Sequence, residues 1–213
     1  MFYDFLGTRH SQQIRLAVMD MWKPFRNVME QRAPLAAVLY DKFHVLRHLN
    51  AAMDQVRKAE CKRLTNRADR TYIKGQQYVL LSHREKLSPE KRRALTTRLA
   101  ANKRLNTASV LKEQFAQRWD YRREPWARKF FAQWRASLRW QRLQPLEAFA
   151  ALIERHWEGI TAYFQPENKV ALGFVEGLNN TIRVIQRRCY GLRDEDSLHH
   201  KILTCTLPPL PRT

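Results

Sequence analysis

Cysteine is scarce: Cys61, Cys189 and Cys205 are the only three in 213 residues, and they lie far apart. None falls in a CxxC pair, which excludes the usual zinc and dithiol redox sites. An odd, scattered set reads as reduced thiols, as in a cytoplasmic protein. Long apolar runs are missing as well. None approaches the roughly twenty residues that cross a bilayer, and the first residues lack the charged-then-apolar pattern of a secretory leader. The expectation is a soluble, cytoplasmic protein with no membrane partner. Acidic residues are the third shortage. Twenty Asp and Glu against 39 Lys and Arg leave a formal charge of +19. Such a molecule repels itself unless a polyanion neutralises its surface, and nucleic acid is the expected one. A basic protein of another kind, bound to ribosomes or a membrane surface, is the alternative that charge alone leaves open.

What is present argues for a folded chain. A hydrophobic fraction of 44% and six tryptophans bury enough apolar surface to offset the entropy of ordering. The length suits one domain, or one domain carrying a large insertion.

MFYDFLG places Phe2, Phe5 and Leu6 at helical spacing and stops at Gly7, which reads as a helix end. IRLAVMD at 14–20 and LAAVLYD at 35–41 are short apolar runs, each closing on an aspartate, with the helical segment WKPFRNVMEQRAP between them. A strand, helix, parallel strand unit is expected, with Asp20 and Asp41 at the strand ends where open α/β sheets place their chemistry. From His44 to about Phe164 the pattern turns helical. Val45, Leu49, Ala52, Met53 and Val56 form one apolar stripe, and SPEK at 88–91 is a well-formed helix start. TYIKGQQYVLL at 71–81 reads instead as an extended or hairpin-like connector. Phe115 with Trp119, then Phe130, Trp134 and Leu138, then Phe149, Ile153, Trp157 and Ile160 suggest an all-α insertion with its own aromatic core. An arginine-rich helix, a Tyr-Gly turn, a short helix and a proline-rich tail follow.

Three constellations carry possible chemistry. EGLNN at 176–180 puts a carboxylate and two adjacent amides on a basic helix, with Glu176, Asn180, Arg183 and Arg187 along one face. That face suits a metal at one end and phosphates along its length, or is simply a solvated surface. Asp20 is the second. DKFH at 41–44 is the third, where Asp41 is at least an N-cap for the helix beginning near Phe43. His44 and His48 stand four residues apart, a spacing that suits zinc, but no third ligand is near and no HExxH is present.

The ordered segments VMDMWKPF, VLYDKFHVLRHLNAAMDQVRKAE, KGQQYVLLSHREKLS and VEGLNNTIRVIQRRCYGLRDEDSL resemble the catalytic domain of the ISL-three family of insertion-sequence transposases over nearly the whole chain. The resemblance implies a predominantly helical α/β fold: an incomplete RNase H-like core with few strands and a large all-α insertion. It further implies a DDE active site holding two divalent metals, Mg2+ or Mn2+, for DNA strand cleavage and strand transfer. By position Asp20 matches the second aspartate and Glu176 the terminal glutamate, both catalytic and metal-ligating. Asp41 and His44 match a supporting Asp-x-x-His signature. Asn179 and Asn180 match the paired amides beside the glutamate, expected with Arg183, Arg187 and Arg188 to face DNA. The implied organisation is core from 1–44, insertion over 45–165, core helices bearing EGLNN over 166–205, and a tail at 206–213.

The pattern departs from the family at its start, because the first aspartate belongs to a strand upstream of the helix that MFYDFLG resembles. Asp4 is no substitute, being on that helix. The chain therefore reads as an N-terminally truncated catalytic domain, without the upstream zinc-binding and helix-turn-helix regions. With one carboxylate short it is expected to be inactive alone. The alternatives are a non-catalytic DNA-binding protein or regulator that pairs with a full-length transposase or with itself, and an unrelated helical RNA-binding protein.

Overall fold

Two four-residue strands, Leu16–Met19 (β1) and Ala37–Tyr40 (β2), lie side by side and parallel, with Leu16 opposite Ala37 and Met19 opposite Tyr40. Parallel neighbours need a crossover, and the helix Lys23–Arg32 (α2) supplies it, with Pro24 in its first turn. The computed structural model describes residues 2–75, 80–82, 87–100, 102–116, 123–168, 172–188 and 194–206. It divides into a unit of residues 1–169 and a unit of residues 170–213. Among the described residues the fold is predominantly helical α/β, with this sheet as its β component.

The first helix, Phe2–Gln12 (α1), is broken at Gly7, whose φ of 76° lies in the left-handed region that favours glycine. The helix end expected there is present, and a further turn follows, in which the Ser11 hydroxyl donates to the Gly7 carbonyl at 2.7 Å. Asp4 sits 3.4 Å from Arg32 of α2, an exposed ion pair that ties the two helices.

After β2 the first unit continues as Lys42–Arg63 (α3), Arg67–Gly75 (α4), Pro89–Ala100 (α5), Lys103–Ala116 (α6), Glu124–Leu138 (α7), Gln144–Arg155 (α8) and Trp157–Thr161 (α9), then two 3-10 turns. The stripe anticipated on α3 is the buried one: Val45, Leu49, Ala52, Met53 and Val56 are all inside. Each fully buried leucine or valine contributes roughly 1.5–3 kcal/mol over exposure. The same core continues into an aromatic cluster. Phe115 lies 4.9 Å from both Trp134 and Phe149, and Phe131 lies 4.9 Å from Trp157. The Trp134 indole donates to the Leu111 carbonyl at 2.9 Å, so its polar edge is satisfied inside the core. Trp119 lies outside the described residues.

One expectation fails. Residues 71–75, the first part of the segment at 71–81 read as an extended or hairpin-like connector, lie in α4. The β-branched and aromatic run Thr71, Tyr72, Ile73 has strand character, but only Ile73 is buried, under α3. Asn66 opens the helix by accepting the Ala68 amide at 2.9 Å. Burial of one residue plus a cap overrides local β-propensity.

Buried polar groups are paired with care. Glu60 of α3 accepts from Arg104 at 2.8 Å and Arg63 at 3.0 Å, tying α3 to α6. Burial raises the Asp54 carboxyl pKa, but hydrogen bonds and charge from Lys58 and Arg57 win, and it ends below the ordinary carboxylate range. The fully buried Lys112 donates from Nζ to the carbonyls of Leu80 and Ser82, both at 2.8 Å. Burial pushes its pKa down, with Glu113 opposing.

The second unit holds Leu172–Arg188 (α10) and Glu195–Thr206 (α11), which pack on each other. The expected Tyr-Gly turn at 190–191 and the tail from 207 onward lie outside the described residues. Among the described residues no helix is long and apolar enough to cross a membrane.

Two substitutions test the packing. A β-carbon on Gly159 of α9 would lie 2.5 Å from a carbon of the buried Tyr40 ring, so Gly159→Ala is expected to cost about 1–3 kcal/mol through overpacking. Lys112→Met keeps the buried stem but removes the donor from two carbonyls, and is expected to cost about 1–3 kcal/mol. Urea unfolding of each variant checks both, and an unchanged midpoint would contradict the corresponding packing.

Candidate active site

The parallel register decides what meets at the carboxyl end of the sheet. Because Met19 pairs with Tyr40, the next residue of each strand is an aspartate, Asp20 and Asp41. The Asp41 amide donates to the Met19 carbonyl at 3.3 Å, which carries the pairing one step further. The chain then turns at both points. After β1 the Trp22 amide donates to the Asp20 carbonyl at 2.7 Å, and after β2 Asp41 opens α3 as its N-cap, accepting the Phe43 amide on Oδ1 at 3.0 Å.

His44, in the first turn of α3, closes the arrangement. Its Nδ1 lies 2.9 Å from Oδ1 of Asp20 and 3.1 Å from Oδ2 of Asp41. Two ionised carboxylates only accept, so the ring proton belongs on Nδ1 and is shared between them. Asp41 is thus used on both oxygens, one holding the helix start and the other the histidine. Its side chain is 16% exposed, whereas that of Asp20 is 50% exposed. Asp20 is the one presented to solvent.

Two further histidines stand near this group. His48, one turn along α3, has its pKa lowered first by burial, then by the neighbouring positive charges of His44 and Arg47; Asp20 pulls the other way and His156 adds to the lowering. The His156 ring meets Tyr40 edge-on at 5.3 Å, and its Nδ1 donates to the Leu152 carbonyl at 2.8 Å. His48 was visible in sequence only as an i, i+4 partner of His44, and nothing local signalled His156. Arg26 of α2 pairs with Glu30 at 2.7 Å and reaches Glu158 of α9 at 3.4 Å, which braces the crossover beside the strand ends.

Asp20, Asp41 and His44 therefore meet within the first unit. Glu176, Asn179, Asn180, Arg183, Arg187 and Arg188 all stand on α10 of the second. That helix starts at Leu172, so Glu176 falls one turn inside it. The Glu176 side chain lies outside the described residues. Asn179, Asn180, Arg183, Arg187 and Arg188 are exposed, while Leu178 and Ile182 are half-buried and Ile185 is buried. Apolar residues at 178, 182 and 185 on one side leave the amide and arginine row on the other. Arg188 is turned away from that row by about 100° per residue of helix.

The donor chemistry at Asp20 fits a hard divalent cation: a half-exposed carboxylate keeps one oxygen free of the histidine. Among the described residues no cluster of three His, Cys, Asp or Glu side chains forms a metal cage. A single carboxylate is not a complete ligand set.

A family model for transposases of the ISL-three DDE type matches residues 1–202. This chain belongs to that family. It is 31% identical to the transposase for insertion sequence element IS1001 of Bordetella parapertussis over 94% of its own length and 50% of the relative's. It is 24% identical to the transposase for insertion sequence element IS1557 of Mycobacterium tuberculosis, covering 93% of this chain and 49% of that one. The chain thus spans about half the length of these curated relatives. No solved structure matches it.

The lowered His48 pKa has a consequence for stability. As pH falls through the ordinary imidazole value of about 6.5, the unfolded chain takes up a proton that folded His48 resists, so folding weakens toward acid. A ring-proton NMR titration is expected to place the His48 midpoint below that of an unperturbed histidine, and His48→Gln to flatten the acid limb of the stability curve. A midpoint at or above the ordinary value would contradict the lowering described for this ring.

Proposed function

We propose that this chain is part of the catalytic core of an insertion-sequence transposase, with Asp20 and Glu176 as two of the three carboxylates of a DDE site. The observation that carries it is the half-exposed Asp20 at the end of β1, fixed by His44 and Asp41 at the adjoining strand end. In this reading β1, α2 and β2 belong to an RNase H-like core, residues 45–165 are a helical insertion, and 166–205 return to the core with Glu176.

Magnesium or manganese, when bound, would neutralise charge at the phosphate and activate the attacking water or hydroxyl. The chain's own residues have separate tasks. Asp20 and Glu176 hold metal, His44 fixes the Asp20 carboxylate, and Asp41 fixes His44 while capping α3. Asn179, Asn180, Arg183, Arg187 and Arg188 contact DNA, with the arginines on phosphates. The cytoplasm is where such a protein would meet its DNA.

Within these 213 residues we assign no first aspartate, so the polypeptide alone is expected to bind DNA without joining strands. The +19 charge favours the second reading for the isolated polypeptide: a DNA-binding regulator that pairs with a second copy or with a full-length transposase. Gel shift and nicking assays separate the two. The expected result is a DNA complex that weakens steeply with salt and no manganese-dependent nicking or joining. Nicking that Glu176→Ala abolishes would establish catalysis by the polypeptide itself and refute its inactivity. Failure to bind any DNA would remove both readings.

A further inference from the structure

Residues 124–147 contain five basic residues, Arg128, Lys129, Arg135, Arg139 and Arg142, against two acidic ones at the ends, Glu124 and Glu147, and they hold three of the six tryptophans. They form α7, a tight turn at 139–142, and the start of α8. Trp134 belongs to the core. Trp140 does not: it stands at the tip of the turn with 84% of its surface exposed.

That exposure is built rather than frayed. Leu138 and Leu143, on either side of the turn, are each only 1% exposed and anchor it to the core. The Gln141 amide donates to the Leu138 carbonyl at 2.9 Å. Arg142 takes a left-handed φ of 51°, unusual for a residue with a side chain. Its carbonyl is held by the Arg104 guanidinium at 2.8 Å, and Arg104 is itself fixed by Glu60. The turn therefore carries an indole outward on a stiff support.

Its surroundings indicate the chemistry of the occupant. Arg135 is paired with Glu154, and Arg128 with Glu124. Among the described residues Arg139 and Arg142 have no acidic partner, and both are exposed, as is Gln141. A protein contact would place Trp140 in an apolar patch with a polar rim. Here the indole sits between Arg139 and Gln141 in the chain, with Arg142 one residue further, all on the same exposed turn. One aromatic face between two cations suits a nucleobase with its neighbouring phosphates. Inside a duplex the base faces are covered by stacking and a blunt end offers only the outer face of its last pair, so an unpaired base beside an end is the better fit.

We propose that the 139–142 turn is a DNA contact in which Trp140 stacks on an unpaired base near a DNA end while Arg139 and Arg142 hold the adjacent phosphates. This rests on the DNA-binding reading above and adds to it a preference for DNA with a single-stranded segment.

The test uses the full 213-residue chain, as wild type, Trp140→Ala and Trp140→Phe. Fluorescence anisotropy compares a blunt duplex with the same duplex carrying a short single-stranded overhang. Trp140→Ala is expected to weaken overhang binding about tenfold while changing blunt-duplex binding less than about twofold, and Trp140→Phe to recover most of the loss. A 2-aminopurine in the overhang should be quenched by the wild type and not by Trp140→Ala. Thermal unfolding should be unchanged, because the side chain is outside the core. Equal overhang binding by wild type and Trp140→Ala would overturn the proposal while leaving the DNA-binding reading intact. Equal losses on both DNAs would also overturn it, as would a change in self-association by sedimentation without a change in DNA binding. A wild type that binds neither DNA would overturn this proposal and the DNA-binding reading together.

Discussion

The Nδ1 proton of His44, shared between the carboxylates of Asp20 and Asp41, joins the side chains of three pieces of backbone: the end of β1, the end of β2 and the first turn of α3. Parallel register alone brings two aspartates side by side, and two unscreened negative charges at that spacing repel. A ring proton between them offsets the repulsion and leaves the more exposed aspartate with a free oxygen. Asp41 gives up both of its oxygens to do this. The division of labour between two chemically identical residues follows from which of them opens the helix.

The helical unit depends on that junction in turn. Tyr40, the last residue of β2, is fully buried against α9 and meets His156 edge-on, so the sheet and the helices share one core. Within the helices the buried charges Arg57, Glu60 and Lys112 are each satisfied by specific partners. Burying a charge is costly without such partners, so Glu60 and Lys112, whose partners lie on other elements, each fix a register that apolar packing alone would leave free to slide. Glu60 sets α3 against α6, and Lys112 sets α6 against the segment at 80–82.

Much of this could be read from the residues. Two apolar runs ending in aspartate gave the parallel pair, and the stripe at Val45, Leu49, Met53 and Val56 marked the buried face of α3, because periodicity reports burial directly. Asp41 was recognisable as a cap. Residues 71–75 read as an extended connector because Thr71, Tyr72 and Ile73 are strand-like types, while the helix they belong to rests on a single buried side chain, Ile73, and a cap from Asn66. The His44 bridge was only half visible: the Asp-x-x-His spacing brings Asp41 to the ring, but the contact with Asp20 spans the strand crossover and depends on register. His156 and the exposed setting of Trp140 are tertiary facts without a local signature.

The positive charge sets the terms on which such a molecule works. Glu30, Asp54, Glu60, Glu124 and Glu154 are each engaged by a lysine or arginine on the same or an adjoining helix. Every acid used in this way also consumes a base, so internal pairing leaves the excess of nineteen untouched. That excess must be screened by counterions or met by an external polyanion, and it works against compactness until it is. A bound polyanion releases counterions and relieves the self-repulsion together, so the stability that it adds should decline with its affinity as salt rises through the range where phosphate contacts dominate. Surface arginines without acidic partners among the described residues, as at 139 and 142 and along α10, are then the residues through which the two are coupled.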